Sequence, residues 1–138
     1  MDRVKIGVGA FTFFATWERE LSPNTCSVFK SILPFSRKLI HARWSGEACW
    51  IPLGNLELGI TAESPISHPE PGQILFYSAG ISETEILIPY GETRFCSSAG
   101  ALAGSRILTI SDNLNELALL GKSILWNGAC DICFEIAD

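Results

Sequence analysis

The sequence predicts a mainly β protein that closes into a barrel, with two helices over the ends of the barrel. Strand-like segments outnumber helical ones, each helical segment stands alone, and no strand–helix–strand alternation runs through the chain. A closed barrel fits this order because closure removes the unpaired edges of a sheet. A length of 138 residues suits a single domain, 1–138, and an apolar fraction of 47% is ample for its core.

The first quarter of the chain predicts a hairpin followed by a helix. Residues 4–8 and 11–18 are rich in aromatic and β-branched residues, which favour strands. Ser22 then offers an N-cap hydroxyl before Pro23, which suits the first helical position. We expect this helix to end before Pro34, because proline disfavours the α conformation of the preceding residue.

The later segments continue the barrel and add a second helix. Further strands are predicted at 37–44, 48–53, 73–78, 85–90, 106–110 and 130–136. Prolines interrupt 54–71, residues 79–84 join two strands, and 91–104 form a loop of small residues that could close over a site. The second helix begins at about Asn113, where Glu116 completes a capping-box pattern.

Charge and hydropathy exclude several classes of function. The net charge is −5 and the ten Lys and Arg are scattered, so no basic stripe is available to bind nucleic acid. The apolar run 6–17 is shorter than the roughly 20 residues of a membrane span. That run ends in charged residues, unlike a signal-peptide cleavage site. We therefore expect a cytoplasmic protein with neither nucleic-acid nor membrane partners.

The cysteines and histidines predict neither a disulfide framework nor a metal site. Five cysteines are an odd number, and they are spread through apolar surroundings. Cys130 and Cys133 have the spacing of redox and zinc sites, but positions three apart on a strand face opposite sides. His41 and His68 lack Asp or Cys neighbours at ligand spacing. We expect structural thiols, no metal and no cofactor.

The chain resembles two groups of proteins. It is similar to cyclophilins where a strand leads into a helix that carries Pro23, Thr25 and Phe29, and again in its last helix and strand. A more extensive resemblance, over nearly the whole chain, is to a family of uncharacterised bacterial and archaeal proteins described as cyclophilin-like. The strings that carry it are ARWSGE at 42–47, WIPLG at 50–54, SETEIL at 82–87 and PYG at 89–91. This resemblance implies a cyclophilin-like barrel and brings no reaction with it.

Five charged residues in or beside apolar strands mark a candidate site. They are Arg43, Glu47, Glu83, Glu85 and Arg94. Such charges are unfavourable unless they pair with one another or are exposed at a mouth, so two interpretations stay open. In the first, Arg–Glu ion pairs fix the strand register. In the second, Arg43 anchors a carboxylate or carbonyl of a small ligand or peptide, and Glu83 or Glu85 is an acceptor or proton-transfer base.

Aromatic residues and one histidine complete the candidate set. Trp44 is a further candidate wall, although Arg43 and Trp44 face opposite ways if both lie in a strand. His41 is either a general base or, more simply, a satisfied and partly buried histidine. The predicted catalytic residues are Arg43, Glu83 and Glu85, and the predicted ligand-binding residues are His41, Glu47, Trp50, Tyr77, Tyr90 and Arg94.

These residues favour a domain that binds, or binds and transforms, a small polar or carboxylate-bearing molecule. The cyclophilin resemblance implies an alternative, weak peptidyl-prolyl isomerase activity with Arg43 as its arginine. After Arg43, however, the chain lacks the phenylalanine–methionine pair and the glutamine of cyclophilins, which removes transition-state hydrogen bonds. A third alternative is a non-catalytic subunit of a homo-oligomer, with exposed aromatics such as Trp126 at the contact.

Overall fold

The computed structural model describes residues 2–78 and 80–137. Within these residues, eight strands form a closed barrel, and every neighbouring pair is antiparallel. Around the barrel the strands follow one another in the order 3–8, 130–137, 35–41, 46–54, 84–93, 73–77, 105–110 and 11–17. The predicted architecture, mainly β with a closed barrel and two helices, is confirmed. Met1, Asp138 and Ala79, which belongs to the predicted 79–84 connection, lie outside the described residues.

The elements follow the predicted order, with three differences in extent. In chain order they are β1 (Arg3–Val8), β2 (Phe11–Trp17), α1 (Pro23–Ser31), β3 (Phe35–His41), β4 (Gly46–Gly54), β5 (Gln73–Tyr77), β6 (Thr84–Thr93), β7 (Cys96–Ser97), β8 (Gly100–Ala101), β9 (Ser105–Ile110), α2 (Leu114–Asn127) and β10 (Cys130–Ala137). Strand β3 stops at His41 instead of residue 44, and β6 continues to Thr93. The predicted loop 91–104 contains a small two-stranded sheet, β7-β8.

Large apolar side chains fill the interior of the barrel. Phe13 and Phe134 from the strands are almost fully buried there, and Phe29 of α1 packs edge-on against Phe134 at one end. Helix α2 covers β3, β4 and β6 with Leu117 and Leu120. The void beneath α2 measures only about 10 Å³, at the lower limit of the roughly 10–15 Å³ that a single water needs. The interior is therefore a packed core.

A second, smaller core lies on the outer face of the barrel. Leu75 of β5 and Leu87 of β6 point outward and are fully buried, because Phe95 and Leu102 cover them. The backbone of Phe95 is fixed by a 2.7 Å hydrogen bond from its N–H to the carbonyl of Ser67. Strands β4, β5 and β6 are consequently covered on both faces, and the outer covering shapes the candidate site.

The two helices begin where the sequence predicts, with Ser22 and Asn113 at the N-cap positions and Pro23 as the first residue of α1. The predicted cap hydrogen bonds are wrong, because neither the Ser22 hydroxyl nor the Asn113 side chain makes one. At α1 the carboxylate of Glu63 takes this role, since it accepts hydrogen bonds from the backbone N–H of Thr25 at 2.6 Å and of Asn24 at 3.3 Å. Burial opposes ionisation of Glu63, but these hydrogen bonds outweigh it and leave the pKa lowered.

Candidate functional site

A cavity of about 190 Å³ opens on the outer face of the barrel. Its floor comes from strands β4 and β6, and its walls come from three segments, 42–45, 82–83 and 96–98. Polar, aromatic and ionisable side chains line it together, whereas the void beneath α2 is apolar apart from the Tyr90 hydroxyl. We call it the outer-face cavity.

Strand register fixes the floor of the outer-face cavity. Trp50 of β4 pairs with Leu87 of β6, and Glu85 of β6 lies between Pro52 of β4 and Tyr77 of β5. Residues that pair directly across antiparallel strands point to the same face of a sheet. Glu85 is therefore held on the outer face between a proline and an aromatic ring, next to the apolar Trp50–Leu87 pair.

Glu85 is a buried carboxyl group without a partner among the described residues. The residue is only 6% exposed, and its side-chain carboxyl group makes no hydrogen bond or ion pair with residues 2–78 or 80–137. Burial raises the pKa of Glu85 to about 8, and the negative charge of Glu83 adds to the increase. Glu85 is thus mostly a neutral carboxylic acid at pH 7, which can both donate and accept a hydrogen bond.

Glu83 and Arg43 provide exposed charges in the lining of the same cavity. A carboxylate oxygen of Glu83 accepts a 3.4 Å hydrogen bond from the Gly54 N–H. The guanidinium of Arg43 forms no hydrogen bond or ion pair with another described residue. The ion pairs found among residues 2–78 and 80–137 join other charges, so the interpretation of an Arg–Glu network is wrong for this part of the chain.

The early end of β3 brings Arg43 and Trp44 to the same cavity. Segment 42–45 is a loop, and Ser45 ties it to β7, because the Ser45 hydroxyl donates to the Cys96 carbonyl and accepts from the Cys96 N–H, both at 3.1 Å. The prediction that Arg43 and Trp44 face opposite ways assumed that both lie in a strand, and that assumption is wrong. Both residues line the cavity, and Trp44 is 57% exposed.

His41 and Tyr90 form a pair elsewhere, at the end of the barrel beneath α2. The His41 Nδ1 lies 2.8 Å from the Ala42 carbonyl oxygen, and Nε2 lies 2.8 Å from the Tyr90 hydroxyl. Because a carbonyl can only accept, we assign the proton to Nδ1 and let Nε2 accept from the Tyr90 hydroxyl. Both ring nitrogens are satisfied, in agreement with the simpler of the two sequence interpretations of His41. Burial raises the pKa of Tyr90.

Three other predicted ligand-binding residues also lie outside the lining. Glu47 accepts a 2.9 Å hydrogen bond from the Glu92 N–H, where the pairing of β4 with β6 is irregular. Arg94 is exposed beyond the cavity wall. The Tyr77 hydroxyl accepts a 3.1 Å hydrogen bond from the Ile81 N–H. Four of the nine predicted site residues therefore share the cavity, namely Arg43, Trp50, Glu83 and Glu85.

Sequence reasoning missed the small polar residues of the lining. Ser45 and Ser82 contribute from two walls, and Cys96, Ser97 and Ser98 contribute from the third. The run of cysteine and serines in the loop after Phe95 was the only available signal, and it was interpreted as a flexible loop that could close over a site. Its position beside the cavity depends on the Ser45–Cys96 hydrogen bonds, which local sequence does not reveal.

The described residues offer binding and proton-transfer groups rather than a metal centre. Within 2–78 and 80–137, no group of three or more His, Cys, Asp or Glu side chains is arranged to hold a metal ion. The cavity combines a guanidinium, one neutral and one exposed carboxyl, hydroxyls and aromatic walls. Such a set can anchor an anion, exchange a proton and cover an apolar body.

A family model described as "Protein of unknown function (DUF3830)" matches residues 4–136. The chain belongs to this family. Membership in an uncharacterised family is thereby confirmed, while the resemblance of the DUF3830 chain to cyclophilins stays a prediction. No curated protein matches the sequence. In the described part of the DUF3830 chain, neither helix has the length and apolar character that crossing a membrane requires.

Among solved structures, the DUF3830 chain is similar to the structure of McbB in complex with tryptophan. The sequence identity is 15% and the TM-score is 0.74. The match covers 96% of this chain and 44% of the McbB chain, so the DUF3830 chain spans less than half of that protein. At this identity the likeness shows a shared fold.

Proposed function

We propose that the protein binds a small molecule with a carboxylate and an apolar or aromatic body in the outer-face cavity. The observation that carries this proposal is that Arg43 and Glu85 line one open cavity while neither has a partner among the described residues. The Glu85 oxygens are not among the fully buried side-chain atoms that lack a partner, so they open to the cavity. A ligand in the cavity can therefore supply the hydrogen bonds that no described residue makes to this carboxyl group.

The size of the cavity supports a small ligand. Its volume of about 190 Å³ lies below the roughly 300–1,000 Å³ of pockets that enclose drug-sized molecules. A metabolite of the size of an amino acid or an aromatic acid fits this range. A folded peptide segment does not fit, which makes the small-molecule interpretation the better supported one.

The energetics support an apolar body on the ligand. Arg43 is exposed, and an exposed ion pair contributes only about 0.2–1 kcal/mol. Burial of apolar surface contributes roughly 25 cal/mol per Å². Most of the binding free energy must therefore come from contact with Trp44 and Trp50, while Arg43 orients the ligand.

The structural neighbour supports the same class of ligand. McbB was solved in complex with tryptophan, which combines a carboxylate with an aromatic body. The two proteins share a fold, so we carry this ligand class to the present chain as part of the proposal.

Binding by matched variants tests the proposal. Indole-3-acetate and phenylacetate should raise the Tm of the wild type, whereas indole-3-acetamide and phenylacetamide should have less effect. Arg43→Gln should abolish the difference between acid and amide. Arg94→Gln, which changes an exposed arginine outside the cavity, should preserve it. If no acid stabilises the protein, or if Arg43→Gln binds the acids as well as the wild type, the proposal fails.

The two alternative functions have less support. The single glutamine of the chain, Gln73, accepts a hydrogen bond from the Glu70 N–H away from the cavity, so it does not supply the cyclophilin glutamine. Equal X-Pro isomerisation rates for wild type and Arg43→Gln in a protease-coupled assay would exclude an Arg43-dependent isomerase.

Trp126 on α2 is 82% exposed, and light scattering of the purified protein tests whether it supports an oligomer.

A further inference from the structure

We infer that the ligand of the outer-face cavity also carries a positively charged amino group, which binds beside Glu83 and Glu85. The ligand class is then an apolar or aromatic amino acid or a related zwitterion. This inference rests on the proposed function, because it assigns a second recognition element to the same cavity.

The arrangement of charges in the cavity points to such a ligand. Arg43 supplies a positive charge from segment 42–45, and Glu83 and Glu85 supply two carboxyl groups at the start of β6. None of these three groups forms an ion pair with residues 2–78 or 80–137. A molecule with one negative and one positive group pairs with both sets, whereas a simple carboxylate leaves the two glutamates without a cation.

The proximity of two carboxyl groups in one cavity explains why a cation binds there. Burial disfavours ionisation of Glu85, and the negative charge of Glu83 adds to this effect. An ammonium group next to both carboxyl groups attracts Glu83 and favours the ionised form of Glu85, and it can donate hydrogen bonds to the Glu85 oxygens, which have no partner among the described residues. The ammonium has three N–H donors, so it can serve Glu83 and Glu85 at once.

Binding of the ammonium is coupled to the loss of a proton from Glu85. In the empty protein the pKa of Glu85 is about 8, so the group holds a proton at neutral pH. A nearby positive charge favours the ionised form and lowers this pKa. The neutral Glu85 and the ammonium ligand therefore become a carboxylate–ammonium pair, and one proton leaves to the solvent. No covalent bond to carbon is made or broken.

The other groups around Glu85 do not bring about the loss of its proton. The titratable or charged groups that share the cavity with Glu85 are Glu83, Arg43 and Cys96, and Tyr77 lies opposite on β5. From β4, the paired residue is Pro52, which has no ionisable group. Among these groups Glu83 is the other carboxyl, and it is exposed to solvent.

The order of residues along β6 matches an amino acid. Trp50 of β4 pairs with Leu87, two positions beyond Glu85, so Trp50 lies on the same face as Glu85 and roughly 6.6 Å along the strand from it. The half-buried Trp50 therefore gives the floor an apolar part next to the carboxyl groups. The charged end and the apolar side chain of an amino acid can therefore rest on successive positions of the same face.

Calorimetry with matched ligands tests the inference. L-tryptophan and L-phenylalanine are compared with their counterparts without the amino group, indole-3-propionate and 3-phenylpropionate. Titrations at pH 6.5 in phosphate and in imidazole buffer give the number of protons released. Of the two amino acids, the one with the higher affinity should bind at least tenfold more tightly than its counterpart without the amino group. Its binding should release close to one proton, whereas binding of the counterpart should release none.

Two variants separate the inference from the proposed function. Glu85→Gln should remove the proton release and the preference for the amino acid, whereas Glu92→Gln, an exposed residue outside the cavity, should retain both. If the counterparts bind as tightly as the amino acids in an Arg43-dependent manner, the inference is overturned and the proposed function stands. If neither set of ligands binds the wild type, both are overturned.

Discussion

The hydroxyl of Tyr90 lies 2.8 Å from Nε2 of His41, inside the end of the barrel that α2 covers. Both residues were predicted to bind a ligand, and both are instead satisfied by each other and by the Ala42 carbonyl. The outer-face cavity lies on the other face of the same sheet, at Trp50 and Glu85. The His41–Tyr90 pair and the proposed ligand site therefore lie on different faces of the sheet. Substitutions can separate their effects on stability and on ligand binding.

Tyr90→Phe should destabilise the protein without weakening ligand binding. The variant removes the donor for His41 Nε2, and loss of one partner of a partly buried hydrogen bond lowers the free energy of unfolding by about 1–3 kcal/mol. Tyr77→Phe is the control, because its hydroxyl serves an exposed turn at Ile81. Urea unfolding measures both variants. A stable Tyr90→Phe protein that has lost carboxylate binding would contradict the assignment.

The pH dependence of stability should report the buried carboxyl of Glu85. The folded protein keeps this proton up to a pKa of about 8, whereas the unfolded chain loses it near 4.5. The folded state therefore binds more protons between these values, and the free energy of unfolding falls as pH rises through that window. The fall is up to about 1.4 kcal/mol per pH unit and ends above pH 8.

Glu85→Gln isolates this contribution. The neutral amide has no proton to lose, so the variant should be more stable than the wild type at pH 8–9 and similar to it near pH 4.5. Glu92→Gln, an exposed carboxylate, should leave the pH dependence as it is in the wild type. Thermal unfolding from pH 4 to pH 9 measures the three proteins. Parallel curves for wild type and Glu85→Gln would contradict the assigned protonation state.

Gly121→Ala should be strongly destabilising even though alanine favours helices. A Cβ at Gly121 in α2 would overlap the ring of Tyr90, and such overpacking lowers stability by about 1–3 kcal/mol or more. The intrinsic preference for alanine, about 1 kcal/mol, does not offset the overlap. Gly7→Ala in β1 is the control, because a Cβ there meets nothing within 4 Å. Equal urea midpoints for the two variants would contradict the tight contact.

The five cysteines should separate into two classes by reactivity. Burial raises the pKa of Cys26 to about 11 and that of Cys49 to about 12, so these thiols stay protonated and unreactive at pH 8. Cys96, Cys130 and Cys133 are half-buried and free. A thiol reagent should modify these three in the native protein and all five after unfolding.

Cys96 lies in the outer-face cavity and therefore reports on the ligand. A bound aromatic acid or amino acid should slow its modification, whereas the rates at Cys130 and Cys133 on β10 should not change. Mass spectrometry of the labelled peptides measures the three rates. Protection at Cys130 equal to that at Cys96 would place the ligand elsewhere.

Hydrophobic patterning predicted the barrel because several strands obey a local rule. In β2, for example, Phe13, Ala15 and Trp17 alternate with exposed residues, and the sequence shows that period directly. The start and end of an element were less predictable where distant groups decide them. Glu63 caps the helix at Thr25 from 38 positions away, so the local Ser22 signal was misleading.

The candidate site was predictable in part for the same reason. Arg43, Glu83 and Glu85 stood out because charges beside apolar strands are rare, and they share a cavity. His41 and Tyr90 stood out equally, yet strand register places them away from the cavity. His41 pairs with Cys49 and Ile40 pairs with Trp50, so His41 and Trp50 face opposite sides of the sheet. Residue type predicted candidate groups, and tertiary pairing selected among them.

The packed interior of the barrel has a consequence for how selectivity changes over evolution. The residues that would recognise a guest come largely from segments 42–45, 82–83 and 96–98, while the main hydrophobic core lies behind them in another layer. Loop sequences can therefore diverge, or be exchanged by an engineer, with little loss of foldability. Relatives with the same barrel should differ most in these three loops, and each such difference should alter the preferred guest before it alters the melting behaviour.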